Sequence, residues 1–262
     1  MKPLNIFKIG GQLLEDETIL NHIITQISTI NEACIVIHGG GKLASHLATQ
    51  LHIPQQLIDG RRITDAATLD IAIMVYAGLI NKKVVAKLQA QNINALGLSG
   101  ADLNCIQSVK RAVGALDFGW VGDTHASLVN TDLFKHLLHM HIQPVLCPLT
   151  WDGQGQLLNT NADAIAAAIA IALSNDFNVR LRYCFEKKGV LLNQDDSDSC
   201  IPIITQKIKA ELIQKGIINA GMLPKIDFAF QAAQAGVEVY IGSYEQLQAT
   251  STEQKGTLIQ VQ

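Results

Sequence analysis

The chain has 262 residues, enough for about two domains or one large one. Apolar residues make up 48% and charged residues 16%, a balance that excludes a disordered chain. Twenty Lys and Arg against 23 Asp and Glu give a net charge of −3 with no basic stripe, which argues against a nucleic-acid partner.

The longest unbroken apolar run, 164–173, is too short to span a bilayer and suits a buried helix, and the first residues lack the apolar core of a signal peptide. The expectation is therefore a cytoplasmic protein with no membrane contact. Five cysteines, an odd number with no CxxC, read as reduced and mostly buried thiols.

Short apolar runs alternate with longer helical patterns. Residues 4–9 read as a strand, 15–28 as a helix and 34–37 as a strand. Gly39-Gly40-Gly41 leads into a helix over 42–51, and a long helix covers 66–91 with Thr64 as its cap. A strand at 93–98, a helix at 131–141 and a strand at 144–149 follow. Asp152-Gly153 signals a hairpin. Beyond it come a helix at 162–173, a strand at 179–185, helices at 206–215 and 222–235, and strands at 237–241 and 256–261. Solid apolar strands alternating with helices predict an α/β fold: a three-layer α/β/α sandwich around a mainly parallel sheet. The polar Ser174-Asn175-Asp176 marks the best internal boundary, giving halves of 1–175 and 176–262. Within 66–91, the stretch LDIAIMVYAGLI is apolar nearly all round. Either it is buried within the subunit or it meets a second copy.

Two glycine clusters follow the first two strands, Lys8-Ile9-Gly10-Gly11 and His38-Gly39-Gly40-Gly41. At such strand-to-helix turns, backbone N–H groups can approach an anion; equally, the glycines can serve tight turns alone. Neither a P-loop nor a dinucleotide fingerprint is present. Asp117-Phe118-Gly119 spells a protein-kinase tripeptide, but its partner motifs are absent. Asn159-Thr160-Asn161-Ala162-Asp163 opens an apolar helix. One of its polar residues suffices as a cap, and three exceed that need. Gly221-Met222-Leu223-Pro224-Lys225 puts a lysine in the first turn of a helix, where the dipole disfavours a cation unless an anion is near. His136, His139 and His141 lack the spacing of a zinc site, and Asp195, Asp196 and Asp198 lack the glycine of a calcium loop.

Taken in order, KIGG, HGGG, RRITD, NTNAD, GMLPK and the terminal GTLI resemble the amino-acid kinase family, from Lys8 to the end of the chain. HGGG with the following arginine and NTNAD resemble the branch acting on N-acylglutamate. The resemblance implies ATP with Mg2+ as phosphoryl donor. It implies an acceptor side-chain carboxylate on N-acetyl- or N-succinylglutamate, an acyl phosphate as product, and a step of arginine biosynthesis. A non-catalytic sensing relative is the alternative. By the same resemblance Lys8 and Lys225 flank the transferring phosphoryl group, Asp163 orients both lysines, and Gly11, Gly40 and Gly41 donate backbone N–H groups. Arg62 and Asn159 match the residues that hold the α-carboxylate and acylamido group. Gly10, Gly189, Val190, Leu191, Ile217, Ile218, Gly221 and Met222 fall on the nucleotide-binding segments. The first half would bind the amino acid and the second half the nucleotide. Where the family has Asp-Val-Ser-Gly, this chain has Glu186-Lys187-Lys188-Gly189, which bears on the nucleotide contacts. The two lysines either aid a polyphosphate or sit in a solvated loop.

Arginine-inhibited members of the family carry an N-terminal helix that links dimers into hexamers. Lys8 leaves too few residues ahead of it for such a helix, since even three turns take roughly eleven. The expectation is a homodimer closed by a two-fold axis through 69–80, without arginine inhibition.

Overall fold

The computed structural model describes residues 1–58, 61–219, 221–246 and 256–262. A central sheet carries the molecule. Its strands are β1 (Lys2–Ile9), β2 (Ala33–His38), β5 (Ala95–Leu98), β8 (Gln143–Leu146), β11 (Phe177–Phe185), β12 (Ile203–Ile204), β13 (Glu238–Ser243) and β14 (Thr257–Ile259). Their order is β12-β14-β13-β11-β1-β2-β8-β5. Every neighbouring pair is parallel except β13 and β14, so the predicted mainly parallel sandwich is the fold observed.

The strands read as unbroken apolar runs because both faces are covered. On β1, Leu4 and Ile6 enter one core with Ile35, Ile37, Leu181 and Tyr183, while Phe7 and Ile9 enter the other with Cys34, Val36 and Cys184. Helices α1 (Glu17–Ser28) and α2 (Gly41–Gln50) and the long helical run Ala66–Ala72, Ile73–Ile80 and Asn81–Ala90 (α3 to α4) cover the second face. The first face carries α5 (Thr131–His139), α6 (Ala162–Leu173), α7 (Gln206–Gln214) and α8 (Leu223–Gln234). Helix α6 is rich in alanine, and its small side chains let it lie closely between the sheet and α8 with nearly every residue buried.

Several boundaries differ from the sequence reading for local reasons. A 3-10 turn over Gly11–Leu14 precedes α1, whose cap is Asp16: its carboxylate accepts from the N–H groups of Thr18 and Ile19. Asp65, not Thr64, caps α3, accepting from the Thr68 N–H at 2.8 Å. The expected strand at 144–149 is two strands, because Cys147-Pro148 breaks it and β9 (Leu149–Trp151) turns away to pair with β10 (Leu157–Thr160). The Asp152-Gly153 hairpin joins them, with Gly153 at φ +81°. The short strands β6 (Val109–Lys110) and β7 (Val121–Asp123), which the sequence did not announce, complete a second, four-stranded sheet of order β6-β7-β10-β9. A two-stranded ribbon, β3 (Leu57–Ile58) and β4 (Arg61–Arg62), stands beside it.

The apolar stretch 73–80 is a wide π-helical segment. Val75, Tyr76 and Ile80 are buried, whereas Met74 and Leu79 are half exposed. Burial within the subunit therefore accounts for one face of this helix and leaves the other open.

Candidate functional site

Chain direction places the site. From β1 the chain runs to β2, β5 and β8 on one side, and later to β11 and β13 on the other. A crevice opens at the carboxyl ends of the strands where an open parallel sheet reverses its order. Lys8 and Gly10-Gly11 end β1, Gly39-Gly40-Gly41 end β2, and Phe185 ends β11.

The glycines are required by close approach. A Cβ at Gly11 would lie 2.5 Å from the Gly40 nitrogen, and one at Gly40 would lie 2.5 Å from Ile80 and 2.7 Å from Tyr76. The two loops are thus pressed together and backed by the π-helical segment. His38 explains the first letter of HGGG. Its Nδ1 lies 2.9 Å from the Gly39 carbonyl, which can only accept, so Nδ1 carries the proton and Nε2 accepts from the Asn81 amide at 3.2 Å. Asn81 also donates to the Val145 carbonyl at 2.9 Å. The imidazole is fully buried and its pKa is pushed down to about 4, chiefly by loss of water, so it is a neutral bracket for the loop. Helix α2 then starts from Gly40 with no side-chain cap and no acid in its first turn, which leaves N–H groups available to an anion.

The NTNAD residues divide three tasks. Asn161 caps α6, accepting from the N–H groups of Asp163 at 2.7 Å and Ala164 at 3.4 Å. Asn159 donates to the Thr64 hydroxyl at 3.0 Å. Asp163 forms an ion pair with Lys8, Nζ to Oδ1 2.8 Å, and both are nearly buried. The Tyr183 hydroxyl donates to the Asp163 carbonyl at 3.2 Å and fixes that turn.

Lys225 is the third residue of α8, a helix without a side-chain cap and with no acid in its first turn. Its ammonium therefore adds to the positive pole of the helix. Burial first, and then the charge of Lys8, push its pKa down to about 8, against the raising effect of Asp163. Phe185, which the sequence reading passed over as a strand residue, offers its ring to both lysines: the centroid is 3.7 Å from the Lys225 ammonium and 5.3 Å from that of Lys8.

Two cavities flank the amino end of α8. The larger, about 460 Å³, is lined by Gly40, Gly41, Arg62, Tyr76, Asn159 and Pro224, with Lys42, Arg61 and Arg111 also on its wall. There the Arg62 guanidinium donates to the Gly41 carbonyl and the Ser45 hydroxyl, each at 2.8 Å, and to the Gln55 side chain. Asp117-Phe118-Gly119 is a turn that serves this wall. Gly119 sits at φ +72°, a Cβ there would strike the Thr64 carbonyl, and the turn's backbone seats Thr64 under Asn159.

The smaller cavity, about 260 Å³, is lined by Gly10, Phe185, Gly189, Val190, Met222 and Lys225, among others. Gly189 is also demanded by packing, since a Cβ there would strike Cys200 and Thr257. Of the other nucleotide-segment residues, Leu191 and Ile218 are buried, Ile217 packs half-buried against the core, and Gly221 is exposed beside Asn219. Their side chains do not line this cavity. In the departing segment Glu186 and Lys187 reach the cavity wall, and Lys188 is tied to Asp198 at 2.8 Å.

Residues 3–243 match the model of the amino acid kinase family. The chain belongs to the amino acid kinase family. Among relatives of this kinase, the acetylglutamate kinase of Phocaeicola vulgatus is 47% identical over 258 residues, 98% of each chain. That of Parabacteroides distasonis is 48% identical over 241 residues, covering 92% of this chain and 94% of the relative. In three dimensions the kinase superposes on smu.665 from Streptococcus mutans UA159 with a TM-score of 0.81, at 27% identity and 99% coverage of both chains. Among its described residues, no helix is long and apolar enough to cross a membrane and no group of three His, Cys, Asp or Glu could hold a metal.

Proposed function

We propose that this kinase transfers the γ-phosphoryl group of ATP to the side-chain carboxylate of N-acetyl-L-glutamate, a step of arginine biosynthesis. The observation that carries the reading is the buried Lys8–Asp163 pair beside Lys225, an ammonium on the wall of the smaller cavity with no ion-pair partner among the described residues. A glutamate side chain has a pKa of about 4.3 and is already a carboxylate at neutral pH, so the reaction needs no general base. A carboxylate oxygen forms a bond to the γ-phosphorus while the bond from that phosphorus to the ADP oxygen breaks. Acyl phosphate and ADP leave, and no proton moves. The difficulty is bringing two anions together, and two lysines, an uncapped helix and glycine N–H groups relieve it.

We assign one cavity to each partner. The 460 Å³ cavity, lined mostly by the half 1–175, takes the amino acid: Arg62 grips the α-carboxylate, Asn159 the acylamido group, and Gly40 and Gly41 the oxygens near the reacting end. The smaller cavity, between the glycine loop after β1 and the half 176–262, takes the nucleotide, with Gly10 and Gly11 at the phosphates and Gly189, Val190 and Met222 on the adenosine side. The glycine cradle, where Gly11, Gly39 and Gly40 leave no room for a Cβ, is the feature that supports a phosphate chain here. Magnesium would ride on the phosphate oxygens and offset their charge. Five unpaired cysteines suit a reducing, cytoplasmic setting.

A coupled assay of ADP release, with hydroxylamine trapping of the acyl phosphate, tests the reading. ADP release that depends on N-acetylglutamate is expected. Binding of both ligands without turnover would make the chain a sensing relative. N-Succinylglutamate belongs in the same assay, because Lys42, Arg61 and Arg111 on the cavity wall could serve a second carboxylate. Faster turnover of it would make the succinyl compound the substrate.

Arg62→Lys should raise KM for the acylglutamate roughly tenfold or more and leave KM for ATP alone, because an ammonium cannot reproduce the two-pronged grip on a carboxylate. Steady-state kinetics with each substrate varied decides it. A rise in KM for ATP alone would put Arg62 at the nucleotide.

We also propose that the open face of the π-helical segment, with Met74 at 50% and Leu79 at 46% exposure, pairs with its copy across a two-fold axis. Sedimentation should give a dimer, and Met74→Glu with Leu79→Glu a monomer. A monomeric wild type would overturn this.

A further inference from the structure

Lys8 and Lys225 differ in how their charge is held. Lys8 has Asp163 at 2.8 Å. Among the described residues no carboxylate stands within ion-pair distance of Lys225, and its nearest recorded partner is the face of Phe185 at 3.7 Å. Strand register explains why the ring is there. Residues alternate faces along β11, so Phe185 follows Tyr183 on the side of α6 and α8, while Cys184 between them enters the opposite core. Tyr183 holds the Asp163 backbone, and Phe185 continues the same row to the mouth of the nucleotide cavity.

We propose that Phe185 is a positioning residue whose ring face holds the Lys225 ammonium, and at longer range that of Lys8, in the site until phosphate oxygens take their place around it. The proposal rests on the phosphoryl-transfer reading above. The chemistry favours a ring over an acid at this spot. A second carboxylate would neutralise the charge that the phosphate needs and would compete for the same N–H donors. An aromatic face attracts a cation by about 0.5–2 kcal/mol and accepts no conventional hydrogen bond, so all three donors remain for the phosphate. The ring also keeps the lysine from folding out to water before ATP arrives, which is pre-organisation of a charge used in the transition state.

The ionisable groups around Lys225 are Lys8 from β1, Asp163 from α6, and Glu186 and Lys187 beyond β11 on the same cavity wall. Asp227 on its own helix is held by Lys209 of α7. With the free-enzyme pKa at about 8, kcat/KM for ATP should fall as pH rises through that value, because only the protonated amine attracts phosphate. Losing the ring removes an attraction specific to the charged form, so the alkaline limb should move to lower pH.

The test compares wild type with Phe185→Leu and Phe185→Tyr. In Phe185→Leu, kcat/KM for ATP should drop about 3- to 30-fold and the alkaline limb should move down by roughly half to one and a half pH units. KM for the acylglutamate should hold, and Phe185→Tyr should restore rate and limb. A second readout needs no turnover: titration of the Lys225 side chain by NMR, assigned with Lys225→Arg, should show the same downward movement in Phe185→Leu without substrates. If wild type phosphorylates no acylglutamate but that titration moves, the functional reading falls and the role of the ring stands. An unmoved Lys225 titration in Phe185→Leu, or a Phe185→Tyr variant no better than Phe185→Leu, overturns the proposal.

Discussion

Lys8→Ala and Lys225→Ala should each lower kcat by roughly 10²–10³-fold, the usual cost of removing one preorganised donor to developing charge, while differing in stability. Lys8→Ala leaves the Asp163 carboxylate nearly buried with its 2.8 Å partner gone. Breaking such a pair from one side costs on the order of 3 kcal/mol. Lys225 stabilises no partner acid among the described residues, and its lowered pKa records a charged form that the fold disfavours. That penalty is present below pH 8 and is relieved as pH rises from about 8 towards the unfolded value, because the unfolded chain then binds more protons. Lys225→Ala should therefore leave stability within about 1 kcal/mol of wild type at neutral pH. Urea unfolding beside steady-state kinetics reads both quantities. A variant retaining near wild-type kcat would remove that lysine from the transfer step, and equal stability losses would contradict the one-sided pairing.

Asp163→Asn should lower kcat at least tenfold, destabilise the fold, and leave the start of α6 intact. The cap belongs to Asn161, and the Asp163 N–H that it accepts from persists in the variant. What disappears is the negative charge between two lysines. Lys8 then lies nearly buried without a counter-ion, again a loss on the order of 3 kcal/mol. Lys225 loses the carboxylate whose charge raises its pKa, so the alkaline limb of kcat/KM should begin below pH 8. Circular dichroism should show unchanged helix content in the folded variant. Wild-type turnover in Asp163→Asn would refute the orienting role, and loss of helix at 162–173 would return the residue to capping.

Part of the candidate site was legible because some of its residues break local rules. Three polar residues where one cap suffices and a lysine at a helix amino end each run against intrinsic preference, and Lys8 was marked by the KIGG resemblance. Each lies in the candidate site: Lys8 and Asp163 pair, Asn159 lines the larger cavity while Asn161 caps α6, and Lys225 lines the smaller cavity. Phe185 stayed hidden because an aromatic residue in a β-strand breaks no rule. Only the register of β11 against β1, which puts it beside Tyr183 on the face of α6, reveals its ring beneath two ammonium groups. The adjoining Glu186-Lys187-Lys188 was the available signal that this strand end is unusual. His38 was hidden likewise, since its partner Asn81 lies far along the chain and meets it only through packing.

By itself, then, the sequence determined the alternation of strands and helices, the two-sided burial of the sheet and the glycine loops, because hydrophobic period and turn chemistry act over a few residues. Tertiary structure decided the rest. Strand order, with β1 between β2 and β11, depends on pairings between distant segments. In the second sheet Asp152-Gly153 announced the hairpin of β9 and β10, but β6 and β7, which complete it, are too short to carry a pattern. The π-helical widening at Ile73–Ile80 is set where Tyr76 and Ile80 close on Gly40. The charge balance of one carboxylate between two lysines, with a ring holding the second, arises only when α6, α8, β1 and β11 converge, because burial and distance, absent from a linear chain, decide which charges are paired.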